Sequence, residues 1–212
     1  MDDEEARARL LDAAEALFYA EGIQAVGMDR IRAESGVPLK RLYRVFPAKE
    51  ALVTAYLERR DQRWMASLRA AVTAGPEPVA AVFDWLAAWF TEPGFRGCAF
   101  LNAHGELGAG PAGVRDVVQR HKEQLRELLG ELAVAKVSGA KVSAASGAEP
   151  GAEAGSESAS ASASESESTR LADQLMVLVE GATTVAALDP GPAPALRARE
   201  MAELLLARSG SR

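Results

Sequence analysis

Positive charge is concentrated in one short stretch of an otherwise acidic chain. Residues 30 to 49 hold six lysines or arginines and one acid, Glu34, whereas the 212-residue chain has a formal net charge of −6. Arginine can bond guanine O6 and N7 together, while lysine and tyrosine hydroxyls can reach phosphates. This chemistry indicates contact with nucleic acid. The candidate contact residues are Arg30, Leu39, Lys40, Arg41, Tyr43, Arg44 and Lys49.

A second group of reactive residue types suggests a rival class of function. Cys98, His104 and Glu106 lie within nine residues and could be a nucleophile, a base and an orienting acid of a small helical hydrolase. Closeness in sequence among several glycines does not establish that geometry, because a catalytic triad is assembled in space. His121 falls on an apolar helix face and is interpreted as a packed, hydrogen-bonded residue. We therefore predict that the protein is not an enzyme and needs no cofactor or metal.

The elements that would position the basic residues are three short helices. The segment "EEARARLLDAAEALFYAEG" has apolar residues at helical spacing and ends at Gly22, and "MDRIRAES" predicts a second helix closed by Gly36. Pro38 then begins a third helix that ends at Phe46, before Pro47. Two short helices joined at a glycine turn predict a helix-turn-helix.

The third helix has an apolar side and a basic side. Leu42 and Phe46 are four residues apart and share the inner face, while Lys40, Arg41 and Arg44 point away from it. A helix of this kind has the shape and charge needed to lie in the major groove of DNA. The alternative is a basic face that is only solvated.

These residues resemble the DNA-binding segment of TetR-type transcriptional repressors. The resemblance covers about the first quarter of the chain. It is carried by a pattern in register at Phe18, Gly22, Ile31, Gly36, Val37, Leu42, Tyr43, Phe46, Lys49, Glu50 and Leu52. Gly27 departs from the family pattern, where a hydroxyl residue commonly caps the second helix, and Lys40 and Arg44 stand where Gly and His are often found. The resemblance implies a repressor that binds a near-palindromic operator in double-stranded DNA as a homodimer and is released by a small hydrophobic or aromatic inducer. The alternative is a dimeric DNA-binding protein without a ligand.

The rest of the chain is predicted to be helical, which gives an all-α fold of about nine helices. A long fourth helix spans about Ala48 to Ala74, and a fifth runs from Pro78 to Thr91. We predict a helix-turn-helix DNA-binding domain at residues 1–47 and a helical ligand-binding and dimerisation domain at 48–212. The serine-rich and glutamate-rich insertion at 138–168 is predicted to be disordered, because it has no periodic apolar face.

Composition and the amino-terminal sequence place the protein in the cytoplasm. No apolar run approaches the ~20 residues of a membrane-spanning helix, and "MDDEEARARLL" carries four acids where a secretory signal would be basic. Cys98 is the only cysteine, which fits a reducing compartment. We therefore expect no membrane partner.

Two further sets of residues are predicted in the second domain. The proposed ligand pocket combines aromatic side chains with a few polar groups: Trp64, Phe83, Trp89, Phe90, Phe100, Asn102, His104, Met176, Glu180 and Thr183. The last two helices carry apolar residues on more than one face, and the resemblance assigns them to a dimer interface: Leu171, Leu175, Leu178, Val179, Ala182, Met201, Leu204 and Leu205. An intramolecular core would explain the same apolar residues in both sets.

Overall fold

The computed structural model of the chain describes residues 1–108, 110–138 and 158–209. Helices dominate these residues, and no strand occurs among them. The all-α prediction is confirmed. The helices in the described part of the chain are α1 (Asp3–Glu21), α2 (Met28–Ser35), α3 (Leu39–Val45), α4 (Lys49–Ala74), α5 (Pro78–Trp89), α6 (Ala99–Leu107), α7 (Ala112–Ser138), α8 (Ser158–Leu188) and α9 (Ala193–Ser209).

Glycine and proline set the ends of the first three helices. Gly22 follows α1 with a φ of 94°, and Gly36 follows α2 with a φ of 65°, values that favour glycine because it lacks a Cβ. Pro38 lies immediately before α3, and its carbonyl accepts hydrogen bonds from Arg41 and Leu42 at 2.9 and 3.0 Å. The predicted third helix, Pro38 to Phe46, is therefore one residue too long at each end.

The chain divides into two compact units that differ from the predicted domains. Unit one comprises Met1–Met65 and Arg96–Lys122, and unit two comprises Ala66–Phe95 and Glu123–Arg212. The predicted boundary at residue 47 divides the chain by function, after most of the residues expected to bind DNA. The compact units instead group residues that pack together. The boundary at residue 47 stays a proposal about function.

Unit one is organised around α1. This helix packs against α2 and α3, and one buried apolar cluster includes residues of α1, α2, α3, α4, α6 and α7. Ile31 and Leu42 are 0% exposed within it, so the helix-turn-helix is fixed from behind by a shared core. Other fully or nearly fully buried members are Ala6, Leu10, Ala14, Phe46, Leu52, Leu57 and Ala103.

Ion pairs also join α1 to α4. The carboxylate of Glu15 pairs with three arginines of α4: Arg59 at 3.0 Å, Arg60 at 3.2 Å, and Arg63. Arg59 also pairs with Asp12 at 2.7 Å. Because several charges share one carboxylate that is only 23% exposed, this network holds α1 more firmly than an isolated surface pair would.

Unit two packs α5 and α8 against α9. A salt bridge of 2.6 Å joins Arg199 of α9 to Asp84 of α5. The indole N–H of Trp85 donates a hydrogen bond of 2.9 Å to the Ser67 hydroxyl. The rings of Trp85 and Trp89 stack at 5.6 Å, and Phe95 contacts the ring of Trp89 edge-on at 5.0 Å. These aromatic contacts pack the side chains of Trp85, Trp89 and Phe95 at and after α5.

Helix α8 begins earlier than the sequence predicted. Residues 158–168 were predicted as part of a disordered insertion at 138–168, but they form the first turns of α8. No glycine or proline occurs between 156 and 180, so nothing in the segment breaks a helix, and alanine and glutamate favour a helix although serine is only moderately favourable. Ser138 belongs to α7. The remaining part of the predicted insertion, residues 139–157, lies outside the described residues.

One segment of α8 is long and apolar enough to cross a membrane by length and composition alone. It spans Glu165–Leu188, with a mean hydropathy of 1.4 in its most apolar window, of which 39% is buried. The packing of α8 on α9 explains part of this apolar character.

Candidate nucleic-acid interface

Helix α3 has the amphipathic arrangement that its sequence predicts. Leu42 and the following Phe46 are 0% and 2% exposed and belong to the core of unit one. Leu39 and Tyr43 are each 47% exposed on the outer side. Lys40 is also exposed. The outer side of α3 therefore presents Leu39, Lys40 and Tyr43 to solvent, and Arg44 is exposed as well.

The two arginines of α3 are held by an acid at the start of α1. The guanidinium of Arg44 forms a hydrogen-bonded ion pair with the Asp3 carboxylate. Arg41 lies 3.9 Å from the same carboxylate oxygen and is 29% exposed. The Nη1 atom of Arg41 is buried and has no hydrogen-bond partner among the described residues. Arg41 is therefore more enclosed than the sequence predicted, whereas the Arg44 side chain is 53% exposed.

Arg30 and Lys49 lie on either side of α3 in the chain. The Arg30 guanidinium on α2 pairs with Glu21 at 3.1 Å. Lys49 is the first residue of α4, and its Nζ atom lies 5.9 Å from the centre of the Phe18 ring. Both cations remain partly exposed, so both could contact a phosphate.

Sequence reasoning missed Asp3 and Glu21, the acids that pair with these arginines. No local spacing could have found the pair between Asp3 and Arg44, because 41 residues separate them. The sequence shows that the chain begins with several acids, but it does not show that one of them, Asp3, pairs with α3.

The predicted ligand residues fall into both compact units. In unit one, the rings of Trp64 and Phe100 contact His121 at centroid distances of 5.1 and 3.7 Å. Asn102 donates a hydrogen bond of 3.0 Å to the Arg96 carbonyl and is exposed, as is His104. This set is therefore divided between a packed core and the surface.

The ligand residues of unit two are largely packed as well. Phe83 and Phe90 are 0% exposed and Trp89 is 8% exposed. The buried Thr183 hydroxyl donates to the Val179 carbonyl at 2.8 Å. Met176 and Glu180 are half-buried. Phe83 also lines a cavity of about 320 Å³ beside α9.

A larger cavity of about 860 Å³ lies on the surface of α8 and α9. None of the predicted ligand residues lines it. Its lining includes two residues predicted for the dimer interface, Leu178 and Leu205, together with Val177, which is 71% exposed.

The predicted dimer residues separate into two faces. Leu171, Leu175, Val179 and Ala182 are between 0% and 6% exposed, so the structure places them in the core of this chain. These four residues share the face of α8 that packs inside this chain. The sequence shows several apolar faces on α8 and does not reveal which of them is buried. Met201 and Leu204 of α9 are 52% and 61% exposed, as expected of interface residues. Leu178 and Leu205 are half-buried.

The structure does not assemble the hydrolase triad considered from the sequence. The Glu106 carboxylate accepts a hydrogen bond of 2.8 Å from the backbone N–H of Gln24, and His104 is exposed. The described partners of Cys98 are instead Lys122 and His121. No group of three His, Cys, Asp or Glu side chains within the described residues is arranged to hold a metal ion.

Comparison with known proteins identifies the class to which this fold and interface belong. Residues 10–56 match the model of the bacterial regulatory proteins of the tetR family. The solved structure of a TetR-family transcriptional regulator from Streptomyces coelicolor is 32% identical, with 98% of this chain and 97% of that chain covered and a TM-score of 0.78. The chain belongs to the TetR family of transcriptional regulators and carries its helix-turn-helix.

Two other relatives give the extent of the similarity. An HTH-type transcriptional regulator from Mycobacterium tuberculosis is 33% identical over 96 residues, which is 39% of this chain and 48% of that protein. The chain thus matches about half the length of this curated relative. A TetR transcriptional regulator from Chloroflexus aurantiacus shares the fold at 19% identity, with 99% and 96% of the two chains covered and a TM-score of 0.72.

Proposed function

We propose that the protein is a cytoplasmic repressor that binds a near-palindromic operator as a homodimer and is released by a small hydrophobic or aromatic molecule. The observation that carries the DNA-binding part is the orientation of α3. Leu42 is buried, whereas Leu39, Lys40 and Tyr43 are exposed on the other side. We infer that this exposed side enters the major groove, and that the protein regulates transcription without catalysing a reaction.

The arginines and flanking cations have separate roles in this proposal. Arg41 and Arg44 would donate hydrogen bonds to base edges, since a guanidinium can bond guanine at two atoms. To do so, each arginine would break its ion pair with the Asp3 carboxylate or keep it with part of its guanidinium. Arg30, Lys40, Tyr43 and Lys49 would contact phosphates and fix the register of the helix. Local positive charge would overcome the net charge of −6 because it faces the duplex at short range.

An exposed apolar face supports the proposed dimer. On α8, Val177, Val185 and Leu188 are 71%, 51% and 87% exposed, and α9 adds Met201 and Leu204. Large apolar side chains on one exposed face mark an interaction site. We infer that the same face of a second copy covers them, as in a closed twofold dimer. The two recognition helices would then enter successive major grooves ~34 Å apart.

The inducer part of the proposal relies on family membership and on the aromatic content of both units. Ligand pockets are mostly apolar with a few polar groups that orient the ligand. The candidates remain those predicted from the sequence, with Trp89 and Asn102 the most informative to change. Coupling of ~1 to 3 kcal/mol between inducer and operator would weaken DNA binding roughly 5- to 150-fold.

Selection of duplexes from a random pool, followed by fluorescence anisotropy, tests the DNA-binding proposal. The selected duplex should bind far more tightly than a scrambled duplex. Lys40→Ala should weaken binding to both duplexes. The slope of log affinity against log salt concentration should also become shallower by about one, because one fewer counterion is released on binding. Lys136→Ala is the matched control, because Lys136 is an exposed lysine in the last turn of α7. Equal losses in the two variants would contradict the assignment of the interface to α3.

Screening small aromatic compounds for quenching of tryptophan fluorescence tests the inducer proposal. Compounds that quench should also release the selected duplex. Trp89→Ala and Asn102→Ala should lose this response while still binding DNA. If no quenching compound changes operator affinity, the protein is a ligand-independent DNA-binding dimer.

A further inference from the structure

A buried polar cluster lies behind the helix-turn-helix and takes no part in the proposed DNA contacts. Asp61 of α4 and His121 of α7 are 6% and 2% exposed, and the Nδ1 atom of His121 lies 2.7 Å from Oδ1 of Asp61. The Phe100 ring stacks on the imidazole at 3.7 Å, and Trp64 meets it edge-on. The carboxylate and the two rings therefore fix the orientation of His121.

The thiol of Cys98 completes this cluster. Cys98 immediately precedes α6, is 8% exposed, and shares a hydrogen bond with His121. The Nζ atom of Lys122 lies 3.5 Å from the Cys98 Sγ atom. A nucleophile, a base and an acid that orients the base are thus in contact.

The surroundings of the sulfur favour its charged form. Burial raises the pKa of the Cys98 thiol, but the hydrogen bond from His121 and the charge of Lys122 lower it further than burial raises it. Burial lowers the pKa of His121, but its hydrogen bonds to Asp61 and Cys98 raise the pKa above its ordinary value. A thiolate beside an imidazolium is the reactive form of cysteine.

Packing alone does not require this arrangement. Burying several ionisable groups costs free energy that apolar side chains of similar volume would not cost. The surrounding core of unit one is otherwise built from aliphatic and aromatic residues. The contacts of Cys98 match those of activated nucleophiles, which also combine a thiol, a histidine and an orienting carboxylate.

We propose that Cys98 is a covalent sensing site for small α,β-unsaturated carbonyl compounds. The sulfur attacks the β-carbon and forms a C–S bond while the π electrons of the alkene move toward the carbonyl, which gives an enolate. The enolate takes the proton held by His121, which becomes neutral. The step is a net addition with no leaving group and no oxidant or reductant.

Hydrogen bonds and helix packing connect this site to the helix-turn-helix. The Tyr19 hydroxyl on α1 accepts a hydrogen bond from the Arg96 N–H at 2.8 Å and donates one to the Gly97 carbonyl at 2.9 Å. Cys98 follows directly, and α1 packs on α2 and α3. Atoms added to Cys98 would enter a close-packed core and displace this turn. This regulatory consequence rests on the proposed DNA-binding function, whereas the reactivity of the thiol does not.

Alkylation by acrylamide, followed by intact mass spectrometry of the full chain, tests the proposal. Between pH 5.5 and 9, the rate should reach its plateau at a lower pH than the rate for glutathione. At pH 6, where an ordinary thiol with a pKa of ~8.5 is well under 1% ionised, it should exceed the glutathione rate at least tenfold. The titratable groups that act on the sulfur are Tyr56 from α4 and His121 and Lys122 from α7, and Asp61 of α4 pairs with His121.

Variants separate an activated thiol from a merely buried one. His121→Asn and Lys122→Gln should each shift the rate profile toward that of glutathione, and Cys98→Ser should give no adduct because the chain has no other cysteine. Lys122 is only partly buried, so its variant keeps the test available if His121→Asn does not fold. A native rate no faster than that of the urea-unfolded chain at every pH would overturn the proposal.

The regulatory consequence has its own readout. Protein carrying one acrylamide adduct should bind the selected duplex at least tenfold more weakly than unmodified protein. Equal affinity would overturn the regulatory part of the proposal. If the unmodified protein fails to select any duplex, the proposed DNA-binding function fails, and the alkylation profile still decides the reactivity of Cys98.

Discussion

Two leucines of α3 provide a test of how this helix is oriented. Leu42 is 0% exposed and Leu39 is 47% exposed, although they lie within one turn of each other. Replacement of a fully buried leucine by alanine costs about 2 to 5 kcal/mol, because apolar contacts are lost and a cavity remains. Leu42→Ala should therefore lower the melting temperature by roughly 4 to 20 °C, at about 2 to 4 °C per kcal/mol for a chain of this size.

Leu39→Ala is the matched control, with the same chemical change on the same helix. It should change the free energy of unfolding by no more than about 0.5 kcal/mol, because the side chain is largely in solvent. It should nevertheless weaken binding to the selected duplex, since Leu39 lies on the side that faces the groove. Circular dichroism during heating and anisotropy with labelled duplex measure the two effects. A Leu39→Ala variant as unstable as Leu42→Ala would refute this orientation of α3.

Four further results are expected. Arg41→Ala should lose about 1 to 3 kcal/mol of discrimination between the selected and a mismatched duplex, measured by competition binding; unchanged discrimination would show that Arg41 does not contact a base. Val185→Glu should give a monomer in sedimentation experiments, because it places a charge on the exposed apolar face of α8; an intact dimer would exclude that face. Replacement of residues 139–157 by a short Gly-Ser linker should leave operator affinity nearly unchanged, because loop-closure entropy varies slowly with length; a marked change would assign this segment a role in binding. Asp61→Asn should lower the free energy of unfolding most below pH ~6.5, the ordinary pKa of histidine, and progressively less as the pH rises through the raised pKa of His121. Urea unfolding at several pH values measures this loss of stability, and a loss that grows with pH would contradict the pairing.

Local patterns predicted the helix-turn-helix well. The four-residue spacing of Leu42 and Phe46 correctly gave the buried side of α3, because helical periodicity alone decides which residues share a face. Gly22 and Gly36 correctly marked helix ends, since both positions have a positive φ. The ends of α3 were missed by one residue on each side, which is the ordinary uncertainty of a helix terminus.

Contacts between distant segments could not be predicted in this way. His104 is close to Cys98 in the sequence, which does not establish a contact, and in the folded chain it is His121 that interacts with Cys98. Similarly, α8 has apolar residues on several faces, and only its packing in the folded chain shows that Leu175 is buried while Val177 is exposed. Asp3 is a third case, because its pairing with Arg44 depends on where α1 begins relative to α3.

The spacing between operator half-sites tests the central claim most directly, because it requires both the groove-binding helix and the twofold dimer. Five base pairs, about half a helical turn, would be inserted at the centre of the selected duplex, and affinity would be measured by anisotropy at physiological salt. We predict that the insertion reduces affinity to that of a scrambled duplex, a loss of about 10³-fold or more. An inserted duplex that binds as tightly as the selected one would contradict a dimer that places two α3 helices in successive major grooves.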